Sequence, residues 1–165
     1  MKVTTETMPP KIAVTKCQES WLLTVNLDIE EVENGYECDC FTVELDHKPA
    51  YGDAFSAIID HINGQTDVKI LTGYSWNGKN VWLSSENQFN FKAAYDVAVQ
   101  TEGATLPMKF KLGEDEDAQP VYHTFKSLSA FTEFYTGAIS FIQRTLAEGW
   151  VRKDSVNNWL KDVEL

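Results

Sequence analysis

Cysteine is scarce in this chain: three residues in 165, at Cys17, Cys38 and Cys40. An odd number makes a poor disulfide framework, and a chain of this length buries enough surface to fold without disulfide or metal. Reduced thiols in a cytoplasm fit the count better. Basic side chains are also few, 14 against 25 acidic ones, for a formal net charge of −11. Such a field opposes non-specific binding to nucleic acid or to an anionic membrane. No run approaches the ~20 apolar residues of a membrane span. The opening Met1–Pro10 segment has no apolar stretch of the signal-peptide kind, so the expected location is the compartment of synthesis.

What is present is a globular composition, 43% hydrophobic and 12% aromatic, which excludes a disordered chain. The polar segment 1–10, ending in Pro9-Pro10, reads as a flexible arm, and 11–165 as a single α+β domain. Ile12 to Lys16 suggests a short strand. Trp21, Leu23, Val25, Leu27 and Ile29 alternate with more polar residues, the period of a strand with one buried face. An acidic loop, Glu30 to Gly35, leads to a second strand over Tyr36–Asp46, giving an antiparallel hairpin. Apolar residues at 54, 55, 58, 59 and 62 predict a helix stopped by Asn63-Gly64.

Asn77-Gly78, between Lys69–Trp76 and Val81–Leu83, is the strongest turn signal, because this pair favours the left-handed angles of a type I′ turn. Ser85 with Gln88 reads as the capping box of a helix ending before Gly103. Met108–Leu112 and Val121–Phe125 are short strand candidates around the acidic loop 113–117. A long central core helix is expected near 129–148, capped by Ser129 and ended by Gly149, with a last short helix from Asp154 to Leu160. The expected architecture is antiparallel hairpins packed on three to four helices.

The candidates for chemistry each have a plainer structural reading. Cys38-Asp39-Cys40 would place two sulfurs on one side of a strand, with Cys17 or His47 as a third ligand. Structural zinc sites space paired thiols by two to four residues and use a second pair, so packing beside the sheet is the preferred reading and no cofactor is expected. His61 follows Asp60 near a predicted helix end, where a cation is favourable. The carboxylates from Asp28 to Asp46 and from Glu114 to Asp117 lack the order of an EF-hand loop. A metal-dependent hydrolase using carboxylates with His47 or His123 is the remotest alternative. No phosphate loop, nucleophile elbow or other catalytic motif is present, so no catalytic residue is assigned and an enzyme is not expected. Tyr74, Trp76 and Trp82 surround the Asn-Gly turn. Exposed, they would form a platform for a glycan or another ligand; otherwise they pack within the hairpin.

The stretch Asn77-Gly78-Lys79-Asn80-Val81-Trp82-Leu83-Ser84-Ser85-Glu86-Asn87-Gln88-Phe89-Asn90-Phe91-Lys92-Ala93-Ala94-Tyr95-Asp96 resembles an uncharacterised domain family of bacteriophages and prophages, notably of gut Bacteroides-type bacteria, that accompanies tail or tail-fibre genes. The resemblance continues through Leu106–Gly113, Pro120-Val121-Tyr122, Phe134-Tyr135 and Gly149-Trp150, covering roughly residues 66–155. It implies a tail-associated structural or assembly accessory. Its partners would be other phage or virion proteins or a second copy of itself; the acidic charge speaks against nucleic acid and membrane as partners. Its location would be the host cytoplasm or the virion. No activity or catalytic residue comes with it.

Overall fold

The computed structural model describes residues 1–165 and has an α+β fold of antiparallel sheets and three helices. The strands are β1 (Lys2–Thr5), β2 (Ile12–Cys17), β3 (Ser20–Val32), β4 (Gly35–Leu45), β5 (Tyr74–Trp76), β6 (Lys79–Val81), β7 (Met108–Glu114) and β8 (Pro120–Phe125). The helices are α1 (Tyr51–Thr72), α2 (Ser85–Gln100) and α3 (Leu128–Trp159), followed by a 3-10 turn at Leu160–Asp162. The residues group into two compact units. One comprises Met1–Ile62 with Arg152–Leu165, the other Asn63–Val151, and the division falls within both α1 and α3. No helix is long and apolar enough to cross a membrane.

In the first unit a four-stranded antiparallel sheet runs in the order β1-β4-β3-β2. The segment expected to be a flexible arm contributes β1, because Lys2 to Thr5 pair with Asp39 to Tyr36 and satisfy the edge of β4. The β3–β4 hairpin closes on Glu33-Asn34, with Val32 opposite Gly35, so the expected acidic loop is mostly strand. Gly35 has φ of +137°, and a Cβ there would lie 2.1 Å from the Thr5 carbonyl oxygen, so only glycine fits between the turn and the end of β1.

Alternation on β3 holds through Leu23, Val25 and Leu27, all buried, and then breaks. A bulge between Leu27 and Glu30, with Asp28 at φ of +49°, places two residues against one and ends the period before Ile29. The buried face meets Ala54, Ile58 and Ile62 of α1, at i, i+4 and i+8, Val156 of α3 and Leu160 of the 3-10 turn. Each Leu, Ile or Val among them contributes about 1.5–3 kcal/mol on full burial.

The second unit holds the hairpins β5–β6 and β7–β8, helix α2, and parts of α1 and α3. Its core is aromatic: Phe125, Phe131 and Phe134 are fully enclosed, with Tyr74, Trp76, Phe91 and Phe141 around them. Asn77 and Gly78 take φ of +49° and +71°, as the β5–β6 turn requires. Beyond β6 the carbonyls of Trp82 and Leu83 accept hydrogen bonds from the Asn87 and Gln88 side-chain amides at 2.9 and 2.6 Å. The cap of α2 is Ser84, whose hydroxyl accepts from the Asn87 amide at 3.2 Å, rather than Ser85. Gln88 therefore secures the strand exit instead of completing a capping box.

Two expected helix stops are not stops. Helix α1 continues through Asn63-Gly64 to Thr72, so residues 68–72 are helical rather than strand. Helix α3 runs unbroken through Gly149 and Asp154 to Trp159. A Cβ on Gly149 would lie 2.8 Å from Thr66 Oγ1, so this glycine marks a close approach of the two helices, where their packing outweighs its low helix propensity. Gly64 has no such neighbour: a Cβ there meets nothing within 4 Å. The two glycines should thus respond oppositely to substitution. Gly64→Ala should raise stability by about 0.5–1 kcal/mol in denaturant unfolding. Gly149→Val should lower it by about 1–3 kcal/mol.

Candidate functional site

A ligand platform on the β5–β6 hairpin needs its rings open to solvent. On β5 the side chains alternate, Tyr74 and Trp76 inward and Ser75 outward. Trp76 is 7% exposed, with ring centroids 5.3 Å from Phe125, 5.4 Å from Phe134 and 4.8 Å from His123. Tyr74 is 9% exposed and its hydroxyl donates to the Phe134 carbonyl at 3.2 Å. Burial raises the Tyr74 pKa, aided by the charge of Glu133. Trp82 alone remains at the surface, at 36% exposure, its ring beside Gly113 and 5.5 Å from the Lys111 ammonium. Of the three candidate rings, Tyr74 and Trp76 thus lie in the core, as hairpin packing would have them, and Trp82 lies at the surface.

The densest charged cluster lies in the first unit. Asp39, on β4, faces the helices with its side chain 12% exposed. Its carboxylate meets His61 Nε2 of α1 at 2.8 Å and the Met1 amino group at 2.9 Å, with Arg152 of α3 at 3.6 Å. The β3 bulge turns Asp28 outward, and its carboxylate accepts from Arg152 Nη2 at 2.7 Å. The His61 ring stacks on Phe41, centroids 4.0 Å apart and 14° from parallel. His61 therefore sits inside α1, paired with a carboxylate, rather than serving a helix end as expected. The cluster joins β4, α1 and α3 around Asp39, whose largely enclosed carboxylate meets the His61 ring nitrogen and is compensated by the Met1 amino group and Arg152.

The two other histidines meet different surroundings. His47 precedes α1 and is bracketed by Asp46 Oδ1 at 2.6 Å and Asp53 Oδ2 at 3.2 Å. Asp53 also accepts from the Ala50 amide at 2.8 Å, the reciprocal arm of a helix cap. Hydrogen bonds to Asp46 and then to Asp53 raise the His47 pKa. His123 contacts Trp76 and Phe125 edge-on, and burial, with the charge of Lys79, lowers its pKa. His47 belongs to the first unit and His123 to the second, each among its own neighbours.

No three His, Cys, Asp or Glu side chains group as metal ligands. Cys38 is buried, its thiol donating to Asn26 Oδ1 at 3.6 Å, and burial, with Cys40 nearby, raises its pKa away from the thiolate a metal requires. The chain matches no family model, no curated protein and no solved structure.

The His47 contacts have a measurable pH signature. The folded pKa lies above the unfolded one, so the contribution of protonated His47 is fully present below about pH 6.5. It fades as pH rises through the raised folded value. The His47 imidazole titration, followed by NMR, should have its midpoint above about 6.5, and Asp53→Asn should lower it. A wild-type midpoint at or below the ordinary value contradicts this bracketing.

Proposed function

We propose that the protein is a phage- or prophage-derived structural or assembly accessory that acts by contact with other virion proteins. The resemblance over residues 66–155 supplies the context, and the outer face of α2 supplies the physical support. Phe91, Ala94, Tyr95 and Ala98 of α2 turn toward the aromatic core. Phe89, Ala93 and Val97, at i, i+4 and i+8, turn to solvent, with Phe89 71% and Val97 44% exposed. A helix resting on a core usually shows water a polar face. Covering Phe89 alone would contribute about 1.5–3 kcal/mol to an association. Aromatic side chains are enriched where protein surfaces meet. The observation that carries the proposal is this apolar row on a helix whose opposite side is already packed.

The test is incorporation into particles produced by the native host. The wild-type chain should copurify with the particles. The double variant Phe89→Asp, Val97→Asp should fold to within about 0.5 kcal/mol of wild-type stability, since both positions are exposed, yet be lost from particles. A chain absent from particles, or a folded double variant incorporated as well as the wild type, would refute the proposal.

A further inference from the structure

A separate cleft in the second unit opens between the start of β5 and the middle of α3. Its volume is about 320 Å³, at the lower end of the range of small-molecule sites. Two glycines shape it. A Cβ on Gly137 would lie 2.5 Å from the Tyr74 hydroxyl, and one on Gly73 would lie 2.5 Å from the Lys69 carbonyl oxygen and 3.1 Å from Phe141 Cζ, so β5 approaches α3 only because both lack side chains. Phe141 forms an apolar wall.

Three polar side chains border the same space: Ser75 from β5, and Ser140 and Arg144 from α3. Ser75, Ser140 and Arg144 are exposed. The Arg144 guanidinium lies 5.8 Å from the Phe141 ring centre, an arrangement that holds the cation over the cleft wall. Its nearest carboxylate, Glu148, is 4.0 Å from Nε, beyond hydrogen-bonding distance, and is engaged at 2.6 Å by Lys69. Arg144 therefore keeps its planar array of donors for an outside acceptor, and both serine hydroxyls can donate beside it.

We infer that this cleft binds a small molecule carrying a carboxylate or phosphate next to an apolar group. The oxyanion would accept from Arg144, Ser75 and Ser140, and the apolar part would lie against Phe141. Paired donors on a carboxylate or phosphate give both strength and orientation, which a lone surface cation in water does not. The overall charge of −11 opposes an approaching anion, so binding here depends on the local donors of Arg144, Ser75 and Ser140.

The inference is tested on the full chain by amide NMR titration with sodium benzoate and with inorganic phosphate, against sodium chloride of equal ionic strength. Both probes should give saturable shifts at Gly73, Ser75, Gly137 and Ser140, with benzoate binding more tightly because its ring meets Phe141. Arg144→Gln should weaken both by roughly tenfold or more while the remaining spectrum stays that of the folded protein. Ser140→Ala should weaken them less. Absence of saturation up to about 50 mM, equal shifts with chloride, or unchanged binding in Arg144→Gln would overturn it.

Discussion

Enclosure of the aromatic side chains in the second unit is the constraint on which the reading of this molecule turns. Phe125, Phe131 and Phe134 have no exposed surface, and Trp76 packs against all but Phe131 of these rings. Rings of this size dominate the energetics of a core, and their contacts here are tilted, edge-on and, between Phe125 and Phe131, stacked. Once they are enclosed, α2 has a fixed inner side, β5 has a fixed face, and the residues on the opposite sides are set by geometry. Phe89 and Val97 are outward because Phe91 and Ala98 are inward. Ser75 faces the cleft because Tyr74 and Trp76 face the core.

The first unit is held differently. Its core is aliphatic, and its conspicuous polar feature is the ion-paired group around Asp39. The bulge in β3 is central to that group, since the same irregularity that ends the hydrophobic alternation delivers Asp28 to Arg152. Bulges re-aim side chains in this way while leaving the sheet intact. A sequence feature that looks like the end of a pattern is here the placement of a partner.

Much of the fold was legible in the sequence. The period of two over Trp21–Leu27, the Asn77-Gly78 turn and the apolar stripe of α2 all appear where local chemistry places them. Gly149 failed as a stop for a tertiary reason. Asn63-Gly64 and Gly149 carry local stop signals, but Gly149 is a contact point against Thr66, a relation between residues 83 positions apart that no window of neighbouring residues contains. The candidate platform failed for a readable reason. Val81 and Leu83 share the buried face, which by alternation puts Trp82 on the other, so the three rings could not have shared one exposed side. The pairing of His61 with Asp39 and the cleft at Arg144 depend on tertiary neighbours and left no local signature.

The rings of the 74–83 hairpin that turn inward hold the fold, while the outward apolar side chains are free to make contacts. Hydroxyl-radical footprinting with mass spectrometry measures that division directly, residue by residue, in solution. Phe89 and Trp150, 71% and 57% exposed, should be modified readily, and Trp76, Phe125 and Phe134 protected until the chain unfolds. Modification of native Trp76 at a rate equal to that of Trp150 would contradict the account.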